Sequence, residues 1–270
     1  MAEKSDMPEE ASQRAFLATR IFLRALMPVM KVVVTDDPKM AARFTGVSAR
    51  IRFLVKAGEE TPGTDLLFED GRLEVDATMA GEPELQFTFK TPEKFNGFMA
   101  GKPVVPSIKG WRHVGLLMKV VSLLLAMKIL MPDARPKAPE KRRLKVKMII
   151  YMITTALSQY NKGGDSEMGA WTKKQPDRIY QMSVETEDDD EIAAYLRVKA
   201  GKTKAGRGFY TRRRPFVHIC FSGIDGAMPV LLGDVEFVEA VGRQLVTVEG
   251  SPEYAANLND YMQRIQALIV

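Results

Sequence analysis

The sequence predicts an α+β chain of two tandem modules, each built of helices and an antiparallel β-sheet. Three observations predict it: an amphipathic helix pattern opens each half, runs of alternating apolar and polar residues follow it, and the order of elements recurs when the 270-residue sequence is shifted by 132 positions. Length agrees, since about 150 residues per domain makes two ordinary units of this chain. With 46% hydrophobic and 27% charged residues the composition is that of a globular protein.

The opening helix is expected over 11–30 and its counterpart over 143–162, the shift setting Leu17 on Ile149, Ile21 on Ile153 and Ala25 on Leu157. In the first half, strands are expected over 47–55, 64–68, 72–79 and 84–90, with the tight turn Glu69-Asp70-Gly71 between two of them. In the second half they are expected over 177–186, 192–199, 207–211 and 216–222, with a turn at 188–190. A short helix ending in glycine follows each last strand, to Gly101 and to Gly233. Each half then has a short extended run ending at Gly110 or Gly250, where the shift grows to 140, and a final helix. VKAG occurs at 55–58 and again at 198–201, but that spacing of 143 is out of phase and is read as coincidence. The proline-rich, charged stretch between the halves suits a linker.

The final helix of the first half is the most unusual segment. Of the 18 residues 114–131, 14 are apolar and only Lys119 and Lys128 are charged, nine positions apart and on opposite sides. About 27 Å of such helix nearly crosses a bilayer, but two lysines offset its gain from insertion. Three ways to bury it stay open: as the lid of a lipid cavity, as a core or homodimer-interface helix, and as a membrane contact.

Chemistry-bearing motifs are few. One cysteine, Cys220, excludes an intrachain disulfide, and two histidines, His113 and His218, exclude a histidine-rich metal centre. The acidic run 185–191 lacks the spacing and glycine of a calcium loop and reads as a polar turn. Gly164-Asp165-Ser166-Glu167-Met168 misses the nucleophile elbow by its last residue, and neither a phosphate loop nor a dinucleotide fingerprint appears. No catalytic residue, metal or cofactor is therefore assigned. His218, two residues from Cys220 on one strand face, is the one nearby base for a thiol nucleophile, with packing the default role for both. His113 reads as a capping residue or a partner for a ligand carboxylate. A net charge of +5 makes a shallow field, and the basic runs 137–147 and 199–214 alternate with no aromatic platform, so nucleic acid is not expected. Those runs suit phosphate head groups, coenzyme A or transient contact with an anionic membrane surface. The polar N-terminus lacks the order of a signal peptide, so a cytoplasmic location is expected.

Residues 65–75 (DLLFEDGRLEV), 84–102 (ELQFTFKTPEKFNGFMAGK), then Ile108-Lys109-Gly110 and an apolar helix resemble the sterol carrier protein family, type two, and its bacterial lipid-carrier relatives. Residues 214–241 keep the pattern with little identity. The resemblance implies a first module over 1–131, a linker over 132–141 and a second, diverged module over 142–270. It also implies that each antiparallel β-sheet is covered on one face by helices, with a cavity between sheet and helices for a fatty acid, acyl thioester or sterol-like lipid. The lining would be Phe87, Phe89, Phe95, Phe98, Met99, Leu116, Leu117, Val120 and Leu124 in the first module. In the second it would be Val217, Ile219, Phe221, Met228, Leu231, Tyr254 and Leu258. Sixteen methionines and 13 phenylalanines would supply adaptable apolar walls, and would equally fill two cores. The expected function is binding and transfer of an apolar small molecule with no covalent step. Two rivals stay open: an enzyme or accessory subunit acting on a hydrophobic or coenzyme-A-linked substrate, and a scaffold that pairs through 114–131.

Overall fold

The computed structural model describes residues 6–186 and 191–269; the turn expected at 188–190 lies outside them. The fold is α+β, in two compact units divided between Met131 and Pro132.

The first unit opens with α1 (Asp6–Ile21). Pro28 has no N–H with which to continue the helical ladder, and the chain accommodates it by a wide π turn at Phe22–Leu26 and a tight 3-10 turn at Met27–Val29. The helix expected over 11–30 is thus broken, and α2 (Met30–Asp36) continues it. Asp37 precedes Pro38, stays extended, and caps α3 (Pro38–Phe44) by accepting a hydrogen bond from Lys39 N. There follow β1 (Ala49–Val55), β2 (Gly63–Glu69), β3 (Arg72–Asp76), β4 (Leu85–Phe89), α4 (Pro92–Met99), β5 (Ser107–Lys109) and α5 (Val114–Ala126), the last running into a 3-10 turn at Met127–Leu130.

The second unit holds α6 (Pro139–Lys162), α7 (Ser166–Lys173), β6 (Arg178–Val184), β7 (Ile192–Lys199), β8 (Lys202–Arg207), β9 (Val217–Phe221), α8 (Gly223–Leu231), α9 (Phe237–Gly242), β10 (Val246–Gly250) and α10 (Pro252–Ile269). Residues 139–141, expected in the linker, already belong to α6. The third strand is Lys202–Arg207 and not 207–211, because it is a polar edge strand of alternating exposed lysines and a buried Thr203, a pattern that reads as loop. The eight extra residues of this half fall between α8 and β10, where they form α9.

Strand order is β3-β2-β1-β4-β5 in the first sheet and β10-β9-β6-β7-β8 in the second, the same order read from opposite edges. The sheets are mixed: β1 pairs with β4, and β6 with β9, in parallel, while every other pairing is antiparallel. The parallel pairs align Phe53 with Phe87 and Met182 with Ile219, so β4 and β9 repeat at the predicted shift of 132. Ile51, Phe53, Val55, Leu85, Phe87 and Phe89 point to the buried side of the first sheet, as their alternation requires.

A parallel pair needs a crossover. Here it is short and unhelical, residues 77–84 in the first unit and 208–216 in the second. One position holds it in both. Arg52 Nη2 donates to Met79 O (2.6 Å) and Gly81 O (2.9 Å), and its register equivalent Gln181 donates to Gly208 O (3.3 Å) and accepts from Tyr210 N (3.0 Å). Arg52 also forms a two-point ion pair with the buried carboxylate of Asp65 (2.7 and 2.8 Å), to which Arg50 adds a third bond at 2.9 Å. Arg52→Ala is expected to cost about 2 kcal/mol in urea unfolding. It strips one partner from a buried carboxylate and orphans two carbonyls, while Arg50 limits the loss.

Candidate functional site

The candidate site is built around α5. Its entry is a turn in which His113 N donates to Gly110 O (3.0 Å) and Leu117 N to His113 O (2.9 Å), so His113 stands at the N-cap through its backbone. The helix packs chiefly on α2 and α3 and buries Val120 and Leu123, with Met127 in the turn beyond. Leu117 and Leu124 are half-buried along one flank, and Leu116 is half-buried at the start of the buried line. Val114, Met118, Val121 and Leu125, spaced by four, three and four, form an exposed apolar stripe on the other side. The helix expected to bury itself fully is therefore covered on one side only.

The phenylalanines among the other expected lining residues of the first unit fall in two aromatic sets. Phe87 stacks on Phe53 (centroids 4.9 Å apart), and Phe89 meets both Phe95 and Phe98 at 5.1 Å. Phe95 also meets Phe22 edge-on at 6.1 Å. Met99 closes α4, half-buried. In the second unit Val217, Ile219, Phe221, Met228 and Leu258 are buried and Leu231 is half-buried. Tyr254 joins a set that sequence spacing concealed: it lies 6.1 Å from Trp171 and 5.2 Å from Phe216, and Trp171 reaches Tyr180 and Tyr261. The Arg178 guanidinium lies over Phe216 (3.9 Å) and Tyr254 (4.5 Å), a cation–π arrangement. Burial holds the Tyr180 phenol above its ordinary range.

A recess of about 50 Å³ lies elsewhere in the first unit, lined by Phe16, Thr19, Arg20, Leu23, Arg24 and Pro62. Sites for drug-sized ligands run to about 300–1,000 Å³, so this recess admits a water or a small head group and not an acyl chain. None of the expected lining residues borders it. Burial, then the charge of Arg20, lowers the pKa of Arg24, whose Nη1 donates to Thr64 Oγ1 (3.4 Å).

On the opposite sheet face of the second unit, β6 brings Ser183 Oγ within 2.8 Å of His218 Nε2 and 3.4 Å of Cys220 Sγ. Neighbouring strands create this contact, which is why the sequence showed only the His218 and Cys220 pair. Burial pushes the Cys220 thiol up and the His218 imidazole down. Both groups are thus neutral near pH 7, the reverse of the thiolate and imidazolium that a cysteine nucleophile uses. Among the described residues, no cluster of three or more His, Cys, Asp or Glu side chains could hold a metal ion, and no helix is long and apolar enough to cross a membrane.

The architecture defines a two-unit α+β protein with a repeated mixed-sheet topology. No protein-family model and no curated protein matches the chain. Among solved structures it is similar to sterol carrier protein 2 like 2 from Aedes aegypti, at 16% identity over 44% of this chain and 96% of that one, with a TM-score of 0.30. It is similar to sterol carrier protein domain 2 of Helicoverpa armigera at 17% identity over 43% and 87%, TM-score 0.31. It is also similar to the inverting sec-alkylsulfatase Pisa1 from Pseudomonas at 10% identity over 54% and 28%, TM-score 0.26. None of these likenesses bears on what this chain binds.

Proposed function

We propose that the protein binds an apolar small molecule, a fatty acid, acyl thioester or sterol-like lipid, against α5 of the first unit. The observation that supports this reading is the imbalance on α5: large apolar side chains lie on two sides of the helix, and the unit covers only one of them. The half-buried Leu117 and Leu124 form the flank along which a guest would enter, Leu116 stands at the open end of the buried line, and α2 and α3 make the facing wall.

Magnitudes favour it. Lifting α5 exposes Val120, Leu123 and Met127, at about 1.5–3 kcal/mol each, or roughly 5–9 kcal/mol together. A chain of about 16 methylenes returns roughly 13 kcal/mol on burial at about 0.8 each. The surplus is then available against the entropy of association.

Native mass spectrometry followed by organic extraction tests the reading. The expected result is one lipid retained per chain, or taken up from labelled fatty acid. Leu116→Lys with Leu124→Lys should weaken uptake at least tenfold, whereas Cys220→Ser should leave it unchanged. Failure of the wild-type protein to retain or take up lipid overturns it.

A further inference from the structure

The turn and helix from Trp111 to Leu125 carry most of the large apolar side chains that the first unit leaves in water. Trp111 is 61% exposed, Val114 58%, Met118 60% and Leu125 54%, with Val121 along the same line. Large apolar groups scattered singly are ordinary on a protein surface, but four in register on one helix face make a patch that calls for a cover. The chain segment that carries it has charge of one sign. From Lys94 to Met131 there is no acidic residue, while Lys94, Lys102, Lys109, Arg112, Lys119 and Lys128 are all basic. Of these, Lys109 lies near a carboxylate, 3.9 Å from Glu82.

We propose that α5 and the turn leading into it dock this protein on an anionic lipid bilayer, the stripe entering the boundary between head groups and acyl chains and the basic residues meeting lipid phosphates. Three features argue for a bilayer as the cover. Thirteen helical residues, about 20 Å, suit a helix lying in the interface and are too short to span. An exposed tryptophan stands at the helix entry, with Arg112 6.0 Å from its ring centroid, and tryptophan and arginine are residues that settle at head-group depth. A second copy of the chain would bring two such basic segments face to face, which opposes homodimerisation through this stripe. The docking surface stands whether or not a guest occupies the first unit.

The test is co-sedimentation of the full chain with vesicles of phosphatidylcholine, with and without a quarter phosphatidylglycerol, together with Trp111 emission in a Trp171→Phe background. Binding is expected to the anionic vesicles, to weaken about fivefold for each basic residue among Lys102, Arg112 and Lys128 changed to Gln, and to weaken in high salt. Trp111 emission is expected to shift to the blue. Met118→Glu with Leu125→Glu should weaken binding at least tenfold without lowering the melting temperature, since both side chains lie in water. Absence of binding to anionic vesicles, binding unchanged in the Glu variants, or emission unmoved on binding would each overturn the proposal. So would a solution dimer that the Glu variants dissociate while vesicles leave the wild type unbound. Lipid extraction and vesicle binding are separate readouts, so either reading can fail alone.

Discussion

Gly110→Ala is expected to unfold the first unit, and Gly250→Ala the second, each with a loss of at least about 4 kcal/mol. Gly110 follows β5 and Gly250 ends β10, each the edge strand that pairs with the last long strand of its sheet, and both adopt left-handed backbone, at φ +83° and +98°. A side chain there costs about 1–3 kcal/mol in backbone strain alone. A worse penalty comes from space: an added Cβ would lie 2.0 Å from Glu84 O at Gly110 and 2.0 Å from Phe216 O at Gly250. Backbone carbonyls cannot rotate away as a lysine tip can, so β5 would have to part from β4, and β10 from β9. Gly46→Ala separates the two causes. It too has positive φ, at +68°, but an added Cβ meets nothing within 4 Å, so it should cost only about 1–2 kcal/mol. Urea unfolding checks all three, followed by Trp111 emission for the first unit and Trp171 emission for the second. A loss at Gly110 no larger than that at Gly46 would refute the clash.

The second large effect is a dependence on pH. Lys145 is fully buried in α6, where its ammonium donates to Ala134 O at 2.7 Å and so fastens the proline-rich stretch before α6 to the unit. Burial first, and the charge of Arg135 second, lower its pKa from 10.5 to about 8. A base with a depressed folded pKa binds its proton more weakly folded than unfolded, so between pH 8 and 10.5 the unfolded chain holds the extra proton and stability rises with pH. Below pH 8 the folded state bears the whole penalty, about 3 kcal/mol; by pH 10 all but about 1 kcal/mol of it is relieved. Above pH 10 the trend reverses. Burial holds the Tyr160 and Tyr180 phenols above their ordinary range, and a raised acid loses its contribution as pH climbs through that range. Chemical denaturation at pH 7, 8, 9 and 10 should show the rise in the wild type and no rise in Lys145→Met, whose profile falls as the raised Cys220 thiol loses its contribution. A rise that persists in the variant would assign it elsewhere.

Several features were legible because they are local. Period-two alternation placed β4 and β9 and told which residues face inward: Phe87 and Phe89 are buried beside Gln86 and Thr88, which are not. The glycines at 110 and 250 marked the same bend in both halves, and the positive φ at each explains why. Asp70-Gly71 makes the turn it was expected to make, and its equivalent is Ala200-Gly201, all four residues at positive φ. The second VKAG is thus a hairpin turn between β7 and β8 while the first lies between β1 and β2, so the motif does not mark equivalent places.

Other features were hidden because they depend on partners far away in the chain. The short helices α3, α7 and α9 carry too few residues for periodicity to show, and β8 has lysines where a strand signal would have valine. The contact of Ser183 with His218 joins residues 35 apart, and Trp171 finds Tyr254 across the second unit.

By itself the sequence determined the α+β class, the twofold repetition, the inward faces of the strands and the presence of one helix with no polar side, because each follows from side chains within a few residues of one another. Only the tertiary structure decided that β4 runs parallel beside β1, that Arg52 and Gln181 hold the crossing chain, and which side of α5 meets water. Alternation fixes the face a residue presents but is blind to which strand, helix or solvent lies against that face, and that choice is made by long-range pairing.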